Sequence, residues 1–295
     1  MEYYMSSHGA MSGKPIPRRN DLLAALSPEV QGRLYPHLKL VSLPQASVVC
    51  ESNEPMRHVY FPAGAIISMQ HLLKNGDSAG VMVIGHEGLL GLNFCLDSEC
   101  TPSRSLVQSA GYAYRLPRRV VTREFNRHEE FMLLMLRSTQ AHISQIAQTA
   151  VCNRRHSIDQ QLCRWLLLSL DRLPDNRLTM THEFIANMLG VRRESVTLAA
   201  TKLRDLGLIS YGRGLITVLD RPELERLSCE CYELIRNACV RVLNYIPQHQ
   251  TIKKHRAIPV VTVAHSHEAA SRRAKRIPSA DRLLILGRHK SISSL

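Results

Sequence analysis

Long hydrophobic runs are missing from this 295-residue sequence, and aromatic residues make up only 5% of it. No stretch approaches the roughly 18 consecutive apolar residues that would suggest a membrane span, and the N-terminal segment lacks the apolar core of a secretory signal. We therefore expect a cytoplasmic protein with no membrane partner. Because 44% of the residues are hydrophobic, the chain can still bury the cores of two ordinary domains.

The sequence also lacks the patterns of common enzymes and metal sites. No nucleophile motif, phosphate-binding loop or zinc signature occurs, which predicts that the protein is not an enzyme. None of the eight cysteines forms a Cys-x-x-Cys pair. Cys95 with Cys100, and Cys229 with Cys231, are close in sequence, but neither pair has a second pair at metal-site spacing. We predict packed thiols, no metal and no cofactor; a metal or iron–sulfur site is the less favoured alternative.

Positive charge is concentrated at one end of the chain. The formal net charge is +13, but residues 250–295 hold ten Lys or Arg against two acids, so only +5 belongs to the preceding 249 residues. The basic balance is therefore weak evidence about the folded part. Periodicity is lost from about residue 247, and we predict a disordered tail that either adds nonspecific DNA affinity or has no function.

Strand-length apolar runs alternate with turn residues over residues 21–119. The run HVYFPAGAIISMQHLL is rich in β-branched and aromatic residues around a Pro-Ala-Gly corner. The Asn75-Gly76 step that follows is a strong hairpin signal, because both residue types tolerate positive φ. The segment SAGVMVIG then predicts the returning strand, and the whole pattern favours a small β-roll or barrel over a parallel sheet.

The pattern becomes helical over residues 129–153. One set of positions steps by three and four residues, as in a coiled-coil seam: Leu133, Leu136, Gln140, Ile143, Ala147 and Ala150. A second stripe contains Met132, Met135 and Ile146. We predict that one face packs on the β-roll and the seam on a partner chain; the alternative is a helix that lies only on its own domain. A second helix, over residues 156–173, ends at Pro-Asp-Asn.

Two short helices and a hairpin are predicted from residue 178 onward. Thr181 is a good N-cap for the first helix, and Gly190 ends it because glycine tolerates the left-handed conformation of a tight turn. The second helix covers residues 192–206, with Val196, Leu203 and Leu206 among its inward residues. Two strands around a turn at residues 211–214 follow, which makes this a winged helix-turn-helix whose second helix enters the DNA major groove.

The polar side chains on this unit suit DNA recognition. Arg193 can contact guanine O6 and N7, and Glu194 can accept a hydrogen bond from cytosine or orient the arginine. Basic side chains on the second helix and the wing suit phosphate. The predicted DNA-contacting residues are Thr181, His182, Arg192, Arg193, Glu194, Ser195, Thr197, Leu198, Lys202 and Arg213. The alternative, an amphipathic helix pair with solvated charges, is disfavoured by the cap, the glycine turn and the wing.

The segments IANMLGV, RESV and LRDLGLI resemble the helix-turn-helix signature of the CRP/FNR family of bacterial transcription regulators. The resemblance extends more loosely over residues 21–240. It implies an α+β fold with an N-terminal cyclic-nucleotide-binding-like β-roll, a long dimerisation helix and a C-terminal winged helix on a palindromic operator. It also implies that Arg193 and Glu194 read bases and that Ser195 contacts phosphate. Leu198 stands where cyclic-AMP-responsive members have arginine, which predicts a different operator.

The β-roll departs further from the cyclic-nucleotide-binding members. The loop at residues 85–91 changes the order of Glu and Gly, and Ser103 rather than Arg104 aligns with the phosphate-binding position. Residues 1–49 contain no cysteine, which excludes the N-terminal cluster of the oxygen-sensing members. A closer match is a subgroup with the Gly-x-Glu-Gly loop and a hinge containing Cys-Asn-Arg-x-His-Ser, here within residues 150–157. The effector pocket is predicted at Gly85, Glu87, Gly88, Gly91, Arg104 and Ser105, and cyclic-nucleotide binding is not favoured.

The predicted protein is a homodimeric DNA-binding regulator that contacts RNA polymerase if it is an activator. Its predicted parts are a flexible N-terminus at 1–20, a sensor β-roll at 21–128, a dimerisation helix at 129–154, a winged helix-turn-helix domain at 155–240 and the tail at 247–295. The alternative function is a ligand-binding module whose winged helix contacts protein instead of DNA.

Overall fold

The computed structural model describes residues 16–93 and 102–244. Most of the predicted N-terminal segment, the whole basic tail, Cys95 and Cys100 lie outside these residues. The described helices are α1 Asp21–Ala25, α2 Pro28–Leu34, α3 Arg118–Phe125, α4 Glu130–Arg155, α5 Ile158–Leu170, α6 His182–Leu189, α7 Arg193–Asp205, α8 Arg221–Leu227 and α9 Cys231–Leu243. The described strands are β1 Lys39–Leu43, β2 Val48–Cys50, β3 His58–Pro62, β4 Ile66–Leu72, β5 Ser78–Ile84, β6 Arg104–Ser109, β7 Gly111–Pro117, β8 Arg177–Thr179, β9 Ile209–Gly212 and β10 Leu215–Val218.

The first seven strands form the predicted β-roll. One sheet has the order β1-β7-β3 and the other β2-β6-β4-β5, and the paired strands run antiparallel. Side chains such as Phe61, Val107 and Leu116 fill its core without exposure to solvent. Successive side chains of a strand point to opposite faces of the sheet. Because only the inner faces are removed from water, apolar and polar residues alternate along the sequence.

The β4–β5 hairpin forms at the predicted Asn75-Gly76 step. Gly76 has a φ of +91°, whereas Asn75 is absent from the described non-glycine residues with positive φ. Asn75 stabilises the turn through its side chain instead, since its Oδ1 accepts a hydrogen bond from the Asp77 backbone N–H at 3.1 Å. Of the two residue types that tolerate positive φ, only the glycine adopts it here, and the predicted hairpin forms.

Helix α4 packs one face against the β-roll. Phe131, Leu134 and Met135 are buried in the same core as the strands. Of the predicted second stripe, Met135 joins this buried face, but Ile146 is exposed. The returning helix α9, which was not expected from the sequence, packs along α4, and its residue Val242 joins the β-roll core.

The C-terminal part is a winged helix with one more strand than predicted. Its sheet has the order β8-β10-β9, because the three residues of β8 pair with β10 ahead of the two-helix unit. A second hydrophobic core, built mainly from α5, α6 and α7, also contains Tyr232 and Ile235 of α9 and Ile66 and Val83 of the β-roll. The two parts therefore share apolar surface and form one compact unit. Among the described helices, none is long and apolar enough to cross a membrane.

Candidate DNA-binding site

The helix-turn-helix forms at the predicted positions. Thr181 is the N-cap of α6, and its Oγ1 accepts a hydrogen bond from the Phe184 backbone N–H at 3.1 Å. Gly190 ends α6 with a φ of +66°, a left-handed conformation that costs other residues free energy. Arg192 is the N-cap residue of α7, so the second helix starts at Arg193, three residues after Gly190.

Helix α7 has one buried and one exposed face. Val196, Ala199, Ala200 and Leu203 are at most 2% exposed in the second core. Leu206, predicted to point inward, is 57% exposed, because the helix ends at Asp205 and Leu206 is its C-cap. The exposed face begins with Arg192, Arg193 and Glu194 and continues with Thr197 and Leu198.

Leu198 is the most exposed large hydrophobic residue on α7, at 74%. An isolated exposed leucine is common on protein surfaces. This one, however, lies one turn after Glu194, on the face that the prediction assigns to base contacts. Ser195, also predicted to contact DNA, is half-buried.

A hydrogen-bond chain links the two helices of the motif. The Thr197 hydroxyl donates to the Arg193 carbonyl at 3.1 Å, and His182 Nδ1 lies 3.1 Å from the same hydroxyl oxygen. Because the Thr197 proton is used by the carbonyl, His182 must donate through Nδ1. Burial, followed by the charge of Arg193, lowers the pKa of His182. A neutral His182 therefore helps to hold the first turn of α7 in place.

Tyr211 of β9 joins the wing to both helices. Its ring lies 4.8 Å, centroid to centroid, from His182. Its hydroxyl lies 3.3 Å from Thr201 Oγ1, and the Arg204 guanidinium lies over the ring at 5.5 Å from the centroid. These contacts fix the wing relative to α7.

The wing turn is a two-residue loop. Arg213 and Gly214 have φ values of +52° and +77°, and Gly212 pairs with Leu215 on either side of them. Positive φ at both loop residues is the pattern of a type I′ hairpin turn, whose twist matches that of its strands. The turn leaves Arg213 exposed at the tip.

Lys202 of α7 has a partner on another helix. Its Nζ forms an ion pair with Asp159 of α5, and its side chain remains 63% exposed. The partner is 43 residues away in sequence, which is why the helix pattern alone did not reveal it.

An internal ion pair lies at the predicted effector site. Glu87 Oε1 lies 2.6 Å from Arg172 Nη2 and 2.8 Å from Arg172 Nε, and both side chains are nearly excluded from solvent. Burial alone would raise the pKa of Glu87, but the charges of Arg172 and His86 lower it. A Cβ at Gly85 would lie 2.6 Å from Arg172 Cγ, so the glycine makes room for the arginine.

The six predicted effector residues have different surroundings in the structure. Glu87 and Gly88 border a void of about 10 Å³ with His142 and Cys239, and neither Arg104 nor Ser105 contributes to it. That volume is about one water molecule. Arg104 forms an ion pair with Glu51 at 3.1 Å, and Ser105 is fully buried on β6. Gly91 packs on Met56 and Val59.

The predicted dimer residues share one open surface. Leu133, Leu136, Gln140, Ile143, Ala147 and Ala150 are all exposed on α4. Ile146 and Val151, which were not in that seam, widen the apolar surface.

The structure also brings together four residues that the sequence did not connect. Cys152, His156, Cys229 and Cys231 have side-chain donor atoms within 4.8 Å of one another. The Cys229-x-Cys231 spacing was visible in the sequence, but its partners are more than 70 residues away.

Comparisons with known proteins agree with this architecture. Residues 160–227 match the model of the Crp-like helix-turn-helix domain. A CRP/FNR family transcription regulator from Eubacterium rectale is 18% identical, with a TM-score of 0.57 over 71% of this chain and 98% of its own. FixK2 from Bradyrhizobium japonicum is 16% identical, with a TM-score of 0.54 over 65% of this chain and 98% of its own.

A third structure, the c-di-GMP responsive regulator CLP from Xanthomonas campestris, is 12% identical, with a TM-score of 0.55 over 66% of this chain and 100% of its own. No curated protein matches the chain. At these identities the solved structures establish the fold, and the domain model establishes the helix-turn-helix. The chain therefore contains a Crp-like helix-turn-helix domain within the fold of the CRP/FNR family of transcription regulators.

Proposed function

We propose that the chain is a sequence-specific DNA-binding transcription regulator that reads a palindromic operator as a homodimer. The observation that carries the proposal is the exposed start of α7. Arg192, Arg193 and Glu194 are solvent-exposed on the first turn of a helix whose opposite face is anchored in a core. A recognition helix inserts this end into the major groove.

The side chains on this face divide into base readers and phosphate contacts. Arg193 can donate two hydrogen bonds to one guanine, and Glu194 can accept from cytosine N4. Leu198 has no hydrogen-bonding group, so its natural contact is the methyl group of thymine. Arg192 and the wing residue Arg213 are placed for phosphate. Lys202 keeps 63% of its side chain exposed beside Asp159, and since surface ion pairs are weak, we propose that it exchanges this partner for a DNA phosphate on binding.

The homodimer follows from the exposed surface of α4. Leu133, Leu136 and Ile143 are each more than 40% exposed in the single chain, and they follow coiled-coil spacing. Pairing α4 with its counterpart in a second copy would bury these side chains. It would also relate two α7 helices by a two-fold axis, which is the symmetry of a palindrome.

The β-roll is proposed to supply regulation by shifting a population of two dimer states. Contacts between β5 and α6, and the ion pair between Glu87 and Arg172, hold the winged helix on the β-roll. A signal that favours another arrangement of these contacts would move the two α7 helices together or apart. If the regulator is an activator, RNA polymerase is the expected protein partner.

The test begins with selection of bound sequences from random duplex DNA by the wild-type chain, followed by gel-shift titration on the selected site. Arg193→Ala with Glu194→Ala should weaken specific binding at least about 100-fold, because each bidentate base contact contributes about 1–3 kcal/mol. A matched control replaces an exposed Arg and Glu of the β-roll region, Arg127→Ala with Glu129→Ala, and should bind normally. Unchanged specific binding by the first variant would contradict the recognition-helix assignment.

Salt dependence separates this proposal from a module whose winged helix contacts protein. Contacts to DNA phosphates release counterions, so the affinity for the selected site should fall steeply as salt rises. A wild-type chain that selects no sequence and binds duplex DNA with no salt dependence would favour the protein-contact alternative.

A further inference from the structure

Three cysteines form a buried cluster of their own, separate from both hydrophobic cores. Cys152 and Cys231 have no solvent exposure, and Cys229 is 5% exposed. His156 lies beside them, with its Nδ1 3.4 Å from Cys231 Sγ. All four donor atoms lie within 4.8 Å of one another. We propose that Cys152, His156, Cys229 and Cys231 bind one zinc ion through three thiolates and one imidazole.

Two of the distances within the cluster are close to those of a tetrahedral site, and all of its donor atoms lie within 4.8 Å of one another. With Zn–S bonds of about 2.3 Å and Zn–N bonds of about 2.0–2.1 Å, tetrahedral ligands lie about 3.8 Å apart for two sulfurs and about 3.6 Å apart for sulfur and nitrogen. The Cys152 and Cys229 sulfurs are 3.6 Å apart, and the Cys231–His156 pair is 3.4 Å apart. A disulfide would need a sulfur separation of about 2.05 Å.

The ligand types favour zinc over other cations. Thiolates and imidazole are soft or intermediate donors, whereas Ca²⁺ and Mg²⁺ take oxygen ligands. Three Cys and one His in a closed, buried tetrahedron are a common set for structural Zn²⁺. The Glu230 carboxylate pairs with the imidazole and is not one of the four clustered donor groups.

Groups around the cluster orient its ligands. With Nδ1 directed at the cysteines, His156 Nε2 lies 3.4 Å from Glu230 Oε2. A carboxylate on the far nitrogen of a ligating histidine fixes the tautomer that leaves the near nitrogen free for metal. Gln148 Nε2 donates to Cys231 Sγ at 3.0 Å, which stabilises a thiolate at that position.

The buried charge around the cluster is consistent with a zinc–thiolate site. Three thiolates and Zn²⁺ carry a net charge of −1. Arg164 of α5 is 4% exposed and lies against the last turns of α4, the helix that carries Cys152. Its Nη1 donates to Thr149, and its Nε has no hydrogen-bond partner among the described residues. A buried cation without a carboxylate partner is costly, and an anionic metal cluster would compensate it.

The local structure explains why these residues meet. Cys152 and His156 are four residues apart at the end of α4, so they lie on one face of the helix. Cys229 lies in the short link between α8 and α9, and Cys231 is the first residue of α9. The ion would therefore fasten the end of the winged helix to the end of the helix that is proposed to form the dimer.

Metal content of the full chain is the direct test. Chain purified under reducing conditions without chelator should contain one zinc per chain by mass spectrometry of the metals. Cys229→Ser and Cys231→Ser should each reduce this content at least tenfold. Cys239→Ser is the matched control, since that cysteine lies in α9 outside the cluster, and it should retain the zinc.

Cobalt substitution makes the test independent of variants that fail to fold. Zinc-free wild-type chain titrated with Co²⁺ should develop the charge-transfer and d–d absorption of a tetrahedral cobalt–thiolate site, saturating at one ion per chain. Any of three outcomes would overturn the proposal: no tightly bound metal in the wild type, iron with labile sulfide in place of zinc, or a Cys152–Cys229 disulfide in freshly isolated chain. None of these measurements uses DNA, so the result is independent of the proposed DNA-binding function.

Discussion

Protonation of the His86 imidazole affects its contacts with both Asp21 and Asp171. Its Nδ1 lies 2.8 Å from Asp21 Oδ2 in α1, and its Nε2 lies 3.4 Å from the carbonyl oxygen of Asp171 at the end of α5. Burial by itself would lower the pKa of His86, but the hydrogen bond to Asp21 and the charges of Glu87 and Asp21 raise it to about 8. The imidazolium therefore bridges the N-terminal helix and the winged-helix domain.

The pKa of His86 predicts a pH-dependent contribution to stability. Because the folded pKa of about 8 exceeds the unfolded value of about 6.5, the contribution is complete below pH 6.5 and is lost as pH rises through 8. His86→Gln should lower the free energy of unfolding by at most about 2 kcal/mol at pH 6, and by much less at pH 9. Urea unfolding at the two pH values measures the difference.

The control for this prediction is His37→Gln, because His37 is exposed. Its effect should be small and the same at both pH values. An effect of His86→Gln that is equal at pH 6 and pH 9 would mean that the protonated imidazole does not stabilise the fold.

At the scale of single elements, α4 has two different faces. Its buried face carries Phe131, Leu134 and Met135, while Leu136 and Ile143 on the other face are 43% and 55% exposed. Exposed apolar side chains in a row mark an interaction surface more often than scattered ones do. Partner contact would remove this surface from water.

Charged substitutions on the seam should disrupt the proposed dimer. Leu136→Asp with Ile143→Asp would place two carboxylates where the helices are expected to meet, and an uncompensated buried charge is strongly destabilising. Light scattering after size exclusion should give a mass near twice the 33.3 kDa chain for the wild type and near one chain for the variant. Operator affinity should fall with it.

The matched control is Leu234→Asp, which changes an exposed leucine of α9 that lies outside the seam. It should leave the mass unchanged. A seam variant that keeps the wild-type mass at micromolar concentration would move the interface to another surface.

At the scale of the whole molecule, the winged helix rests on strand β5 through a close backbone contact. A Cβ at Gly80 would lie 2.7 Å from the Met188 carbonyl oxygen and 3.2 Å from Met188 Cα. Gly190, at the turn of the helix-turn-helix, similarly faces Ala79. The motif that is proposed to read DNA is thus packed directly on the β-roll.

Gly80→Ala should loosen this packing. The added methyl group meets backbone atoms that cannot rotate away, so we expect a loss of about 1–3 kcal/mol in stability, measured by urea unfolding. Hydrogen exchange of the α6 amides should become faster. Gly32→Ala, in α2 with open space around its Cβ position, should be neutral or stabilising by up to about 1 kcal/mol. Equal effects of the two variants would argue against a tight β5–α6 contact.

The elements that depend on interactions between neighbouring residues could be predicted from the sequence. The Thr181 cap, the left-handed Gly190 and the apolar spacing of α7 are set by residues within one or two helical turns, so the Crp-like helix-turn-helix could be predicted. The β-roll pattern followed from alternating strands and turn residues. Strand β8 was missed because its three residues gain their structure from pairing with β10.

Tertiary structure decided the contacts between residues that are distant in sequence. It paired Lys202 with Asp159 and Glu87 with Arg172, and it brought Cys152 within 3.6 Å of Cys229. Charge and thiol chemistry depend on distances of a few ångströms, and no sequence spacing of 43 to 85 residues specifies such a distance. These distances are set by the packing of α9 on α4 and of the winged helix on the β-roll.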